Sequence, residues 1–122
     1  MSNLKAIEIK AFIPAKDFEL SKRFYEDLGF TKASDSDGVA YFHLGEVSFL
    51  LQDYYVAALA NNLMMHLLVE DVDAWRDKVR DAGIAETYGV RVTEIVRQPW
   101  RMRDFALVDP SGVLWQIAQN SD

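Results

Sequence analysis

The first segment of the chain alternates apolar and polar side chains and is followed by a helical pattern. Within residues 4–13, apolar side chains recur at every second position, which is typical of a β-strand with one buried face. Asp17 is a good N-cap for the next segment, and Gly29 is placed to end it. Between them the apolar stripe has helical spacing, with Leu20, Phe24 and Leu28. This pattern predicts a strand followed by a helix.

The same signals return 54 positions later. Asp71 corresponds to Asp17 and Gly83 to Gly29, and residues 63–69 supply the equivalent strand. The second apolar stripe again has helical spacing, with Val72, Trp75, Val79 and Ala82. A coincidence of helix start, helix end and apolar stripe indicates an internal repeat.

Short strands separated by turn signals follow each predicted helix. The first set lies near residues 30–33, 39–44 and 47–52, with turns at 37–38 and 45–46. The second set lies near residues 86–88, 92–96, 105–108 and 113–118, with a hairpin turn at 109–112. We therefore predict an α+β domain over residues 1–122, made of two tandem βαβββ units at about 1–55 and 62–122.

Composition narrows the class of protein. The formal net charge of −6 disfavours binding to nucleic-acid phosphates. No cysteine is present, so neither a disulfide nor a catalytic thiolate is available. Charged residues interrupt the apolar N-terminal stretch, so we expect neither a signal peptide nor a membrane span, and a cytoplasmic location.

Two passages resemble the vicinal oxygen chelate superfamily, which includes glyoxalases, dioxygenases and bleomycin-resistance proteins. IPAKDFELSKRFYEDLGF, at residues 13–30, is similar to its first strand and helix, and FALVDPSGVLWQI, at 105–117, to its closing hairpin. Pro14, the compact length and the passage at 93–112 with its QPW motif resemble the bleomycin-resistance branch. This resemblance implies a mixed sheet curled around a cleft. It also implies a homodimer that exchanges the strand before Pro14 and binds its ligand at the subunit interface.

The superfamily's metal ligands are not retained. Carried over by resemblance, the four ligand positions fall on Lys10, Leu50, Met64 and Gln116. These side chains make a poor set for a divalent cation, so we expect neither a metal nor another cofactor. An improvised site stays open, because Glu8 and His66 lie two residues from Lys10 and Met64 and share their strand faces.

We find no catalytic constellation in the sequence. The two histidines are His43 and His66, and neither a G-x-S-x-G elbow nor a glycine-rich phosphate loop occurs. Catalytic residues are therefore expected to be absent.

Candidate ligand-binding residues centre on Trp100, which the resemblance places in the ligand groove and which can stack on a flat ligand. The alternative for Trp100 is packing in a dimer interface. Neighbouring arginines, among them Arg103, suit an anionic ligand better than a cationic glycopeptide antibiotic. His66 either contacts ligand or is a structural residue. The remaining candidates are Lys10, Gln116, Tyr54, Tyr55, Phe12 and Phe49.

These features lead to one main hypothesis and two alternatives. The main hypothesis is a metal-independent protein of the bleomycin-resistance type that sequesters a small antibiotic-like ligand. The first alternative is a metal-dependent lyase or dioxygenase with atypical ligands. The second is an accessory protein with no small-molecule ligand.

Overall fold

The first half of the chain forms a four-stranded mixed sheet with one long helix. A computed structural model describes residues 2–121. The elements of this half are β1 (Phe12–Pro14), α1 (Phe18–Leu28), β2 (Thr31–Ser36), β3 (Val39–Leu44) and β4 (Val47–Gln52). The strand order is β1-β4-β3-β2, with β1 parallel to β4 and the other pairs antiparallel. A short helix, α2 (Ala57–Ala60), lies in the connection to the second half.

The second half repeats this topology. Its elements are β5 (Met64–Leu68), α3 (Val72–Asp81), α4 (Ile84–Tyr88), β6 (Val96–Gln98), β7 (Met102–Val108) and β8 (Leu114–Asn120). The strand order is β5-β8-β7-β6, with β5 parallel to β8. The two sheets therefore have equivalent strand orders and equivalent parallel pairs, and the predicted α+β fold with two repeated units is confirmed.

The two long helices begin in the same way. The Asp17 carboxylate accepts a hydrogen bond from Leu20 N at 3.1 Å, and the Asp71 carboxylate accepts one from Ala74 N at 3.0 Å. Each aspartate satisfies a backbone N–H that has no partner within its helix. The predicted helix starts are thus confirmed, and the repeat extends to the capping contacts.

The predicted strand at residues 86–88 is wrong, because this segment is the helix α4. Gly83 and Gly89 bracket it with φ angles of 66° and 62°, and Ile84 is buried against the core. Two left-handed glycines with five residues between them leave room for one helical turn but turn the chain away from the sheet. The strand predicted at 92–96 also shifts, because Val92 makes only an isolated bridge to Leu107 and β6 begins at Val96.

The predicted strand at 4–13 is paired only at its end. Strand β1 begins at Phe12, whose partner on β4 is Leu50, and residues 2–11 form no strand. Ile7 and Ile9 are each 94% exposed. Alternation indicates which side chains share a face, but it does not supply the neighbouring strand that would cover them. We call residues 2–11 the N-terminal arm.

One core runs through both halves and includes a buried hydrogen-bonded group. Tyr25 Oη donates to Asp109 Oδ2 at 2.5 Å, and Trp115 Nε1 donates to Tyr25 Oη at 2.9 Å. Burial raises the pKa of Tyr25 well above its usual value, and it also raises the pKa of Asp109. These bonds join α1 of the first half to the closing hairpin of the second.

Among residues 2–121, no helix is long and apolar enough to cross a lipid bilayer.

Candidate functional site

Each sheet has one face turned toward the buried core and one face that the helices leave uncovered, which we call its open face. On the first sheet, Phe42 and Phe49 are buried, whereas their neighbours Tyr41 and Leu50 lie on the open face and pair directly. Leu50 also pairs with Phe12, which is half exposed. The open face of the first sheet therefore has a row of apolar and aromatic side chains across β3, β4 and β1.

The open face of the second sheet has a row that mixes polar and small side chains. Gln116 pairs with Ala106 on one side and with His66 on the other. Thr93 extends the row, since Thr93 N donates to Ala106 O at 2.9 Å. The row thus places an imidazole next to an amide, with a hydroxyl on the far side of Ala106.

A second row on the same face is mainly apolar. Leu114 pairs with Val108 on one side and with Met64 on the other. The backbone of Arg91 extends this row, because Arg91 O accepts from Val108 N at 3.0 Å. Met64 is more than half exposed. Together, the two rows form a surface that is apolar along one row and carries polar side chains along the other.

The four positions of the superfamily's metal site divide between the two sheets. Leu50 lies on the open face of the first sheet, and the Lys10 ammonium lies above the Tyr41 ring of that face. Met64 and Gln116 lie on the open face of the second sheet. No described residues form a group of three or more histidines, aspartates or glutamates able to hold a metal. An ammonium, an isobutyl group, a thioether and an amide do not fit a divalent cation, so we derive no step through one.

Three neighbouring side chains donate hydrogen bonds to the Glu8 carboxylate, and we call this group the Glu8 clasp. Its carboxylate accepts from Lys10 Nζ at 2.8 Å, from Tyr41 Oη at 3.0 Å and from Ser48 Oγ. The Lys10 bond is the largest cause of a lowered Glu8 pKa, about 2, and the Ser48 bond adds to it. Glu8 thus holds the N-terminal arm against the first sheet, while His66 lies on the second.

A cleft of about 280 Å³ lies between β4 of the first half and β5 of the second. Its lining is mostly apolar and brings together two predicted site residues, Phe49 and His66. Trp115 also lines it, although Trp115 and Phe49 are almost entirely buried and expose little surface to it. The cleft therefore lies between the two halves of the chain, and aromatic side chains form part of its lining.

The structure separates Trp100 from Arg103. Trp100 lies in the turn between β6 and β7 and is 60% exposed. Arg103 shares the strand face of buried Phe105 and binds the Asp73 carboxylate at 2.8 and 2.9 Å. Arg103 is therefore turned toward α3 and neutralised there, away from the open face of its sheet.

The two tyrosines of the connecting segment differ in exposure. Tyr54 is half exposed, whereas Tyr55 is partly buried and has the Lys16 ammonium 5.6 Å from its ring centre. Both lie just after β4, at one end of the first sheet.

Sequence reasoning missed two side chains of the open faces. Tyr41 alternates with buried Ala40 and Phe42, so strand periodicity alone would have placed it on the open face. Arg91 gave no such signal, because it precedes β6 in a segment with only one isolated bridge.

Comparison with known families settles the classification. The model of the Glyoxalase/Bleomycin resistance protein/Dioxygenase superfamily matches residues 8–117. The chain belongs to this superfamily. The resemblance seen in the sequence is thereby confirmed, and the two mixed sheets match the fold of this superfamily.

Several solved structures of the superfamily are similar over almost the whole chain. A bleomycin-binding protein in complex with bleomycin is 26% identical, with a TM-score of 0.81 and coverage of 93% of this chain and 98% of that one. A bleomycin resistance determinant encoded on the transposon Tn5 is 27% identical, with a TM-score of 0.81 and coverage of 93% and 97%. A bleomycin-binding protein from Streptomyces verticillus, complexed with copper(II)-bleomycin, is 22% identical, with a TM-score of 0.77 and coverage of 98% and 99%, and shows the shared fold. Among curated protein sequences, none matches this chain.

Proposed function

We propose that this chain is a small-molecule-binding protein of the bleomycin-resistance type, which sequesters an antibiotic-like ligand without making or breaking bonds in it. The observation that carries the proposal is the pair of open faces, which expose apolar and aromatic side chains beside a few polar ones. Pockets for drug-sized ligands have this composition. The similarity to two bleomycin-binding or bleomycin-resistance proteins at 26% and 27% identity favours the same ligand class.

Trp100 is the residue that we expect to contact a flat part of the ligand. Its indole is exposed and lies in the turn between β6 and β7, where Arg101 adopts a φ of 63°. Stacking of a heteroaromatic group on an indole contributes about 0.5–1.5 kcal/mol beyond the burial of area.

A homodimer is part of this proposal, and the N-terminal arm supports it. In the second half β5 pairs with β8 over five residues, whereas β1 pairs with β4 over only three. The missing part of the equivalent strand is the arm, which exposes Leu4, Ile7 and Ile9. Exchange of this arm between two chains would cover these side chains and bring open faces of two chains together.

Titration with metal-free bleomycin, followed by tryptophan fluorescence and calorimetry, tests the proposal. We expect saturable quenching at micromolar ligand, and mass spectrometry should recover the ligand unchanged. In W100A the affinity should fall about tenfold, because the stacking surface and its burial are both lost. The matched control is W75F, which should leave the affinity unaltered, since Trp75 lies on α3 and packs against the core with the Lys78 ammonium over its ring.

Two results would overturn the proposal. Absence of any saturable change at micromolar bleomycin would remove the antibiotic assignment. Conversion of the ligand, or stoichiometric metal in the purified protein that is lost in H66A, would favour the metal-dependent enzyme instead.

A further inference from the structure

Arg91 is fixed by the backbone at the edge of the second sheet. Its carbonyl accepts from Val108 N at 3.0 Å, and the next residue, Val92, bridges Leu107. Thr93 then pairs with Ala106 in both directions, because Thr93 N donates to Ala106 O and Ala106 N donates to Thr93 Oγ1 at 2.8 Å. The side chains of this segment are therefore held in register with the open face.

A cavity of about 150 Å³ opens between this segment and the two central strands. Ala106, Val108 and Leu114 supply apolar walls, and Arg91 and Thr93 supply the polar lining. An apolar cavity of about this volume accommodates one benzene-sized group. The Thr93 oxygen accepts from Ala106, which leaves its hydroxyl proton available as a donor.

Within residues 2–121, no carboxylate lies within ion-pair distance of the Arg91 guanidinium. By contrast, Arg76 pairs with Glu94, and Arg103 pairs with Asp73. Asp104, the carboxylate on the same open face, is buried and accepts from Gln98 Nε2 at 2.9 Å. A guanidinium at the rim of an apolar cavity, with no carboxylate paired to it, is suited to bind an oxyanion with two parallel hydrogen bonds.

From this geometry we infer that the cavity at Arg91 is a subsite for an anionic group attached to an aromatic or branched apolar body. Arg91 holds the oxyanion, and Ala106, Val108 and Leu114 contact the apolar part next to it. The inference rests on the proposed function, because it names the chemical class of ligand for the open face of the second sheet. Arg91 then replaces Arg103 as the arginine expected to bind an anionic group, because Asp73 already neutralises Arg103.

A pair of fluorescent probes that differ by one charge tests the subsite. 8-Anilinonaphthalene-1-sulfonate carries an oxyanion, and N-phenyl-1-naphthylamine has the same aromatic body without it. In R91M, which keeps the length of the side chain, affinity for the sulfonate probe should fall about tenfold and affinity for the neutral probe should stay within twofold. R91K should retain part of the sulfonate affinity. The matched control is R80M on the exposed side of α3, which should bind both probes as the wild type does.

Amide NMR shifts locate the probe and keep the test independent of the antibiotic. At a probe concentration that just saturates the wild type, we expect the sulfonate probe to shift the signals of Ala106, Val108 and Leu114 fully in the wild type and only weakly in R91M. Equal sulfonate affinity in R91M and wild type, or shifts confined to other residues, would overturn the subsite whatever bleomycin does. If the wild type does not bind bleomycin but R91M still weakens binding of the sulfonate probe, only the proposed function would be overturned.

Discussion

Glu8 shows how a single carboxylate can hold a segment that has no strand partner. The Glu8 clasp lowers the pKa of this carboxylate to about 2 from an ordinary value of 4.5, chiefly through the Lys10 bond. A carboxyl whose pKa is lower in the folded state stabilises that state above about pH 4.5. This contribution is lost as the pH falls from about 4.5 through about 2. The clasp should therefore loosen only in strong acid.

Carbon-detected NMR titration of the side-chain carboxyls tests this prediction. We expect Glu8 to titrate near 2 in the wild type and closer to its ordinary value in S48A, which removes one donor. S34A, on the edge strand β2, serves as the matched control and should leave the titration of Glu8 unchanged. A Glu8 that titrates near 4.5 in the wild type would contradict the clasp.

Tyr25 is the residue whose hydroxyl we expect to matter most for stability. Y25F removes the donor to Asp109 and the acceptor of Trp115 Nε1, and so leaves two buried polar groups each short of a partner. An unsatisfied buried group costs about 1–3 kcal/mol, so urea denaturation should show a loss in the free energy of unfolding of at least this size. Y88F also removes a tyrosine–aspartate bond, to the exposed Asp27, and should cost less. Equal losses in the two variants would argue against a special role for the buried group.

At the scale of elements, the repeat predicts equal effects at two helix starts. D17A and D71A each remove a side-chain cap and should each lower the free energy of unfolding by about 1 kcal/mol. The two caps lie on separate helices, so the double variant should show the sum. D81A alters an exposed aspartate at the other end of α3 and should change stability little. A loss at only one of the two caps would mean that the halves are not energetically equivalent.

The elements that could be predicted from the sequence are those defined by local signals. Strands β3 and β4 have the predicted bounds, because the turn at Asp37 and Gly38 requires positive φ angles and the flanking residues alternate. Helix α4 could not be predicted in the same way. Its five residues are too few for a helical stripe, and what defines it is the left-handed conformation of Gly83 and Gly89. The local sequence pattern thus predicts regular strands and helices better than it predicts the short segments where the chain changes direction.

The candidate site was only partly predictable for a related reason. Arg103 has the same strand parity as Phe105, so its direction toward α3 follows from periodicity once the strand is placed. Arg91 and Trp100 lie outside regular strands, and no periodicity gives their direction. The pairing of His66 with Gln116 is a contact between distant segments, which depends on how β5 and β8 are aligned in the sheet.

At the scale of the whole molecule, the two halves of one chain form a single core but leave both open faces and the apolar side chains of the N-terminal arm uncovered. The helices pack on one side of each sheet, and the buried Tyr25 group joins the halves. A monomer of this shape exposes three apolar side chains of the arm, Leu4, Ile7 and Ile9, beside an apolar sheet face, which is typical of a surface that associates with another molecule. The proposed dimer accounts for both features at once.

Light scattering after gel filtration tests this last prediction. The full chain of 13.9 kDa should have about twice this mass at micromolar concentration, because exchange buries the side chains of Leu4, Ile7 and Ile9. Full burial of one such side chain is worth about 1.5–3 kcal/mol, so an I7S/I9S variant should dissociate at concentrations where the wild type is dimeric. The variant should also lose affinity for bleomycin if the ligand binds between two chains. K5S changes a polar position of the same arm and should leave both mass and affinity as in the wild type.

A wild-type chain that stays monomeric at these concentrations would contradict arm exchange. Ligand binding by that monomer would place the site on the open faces of a single chain.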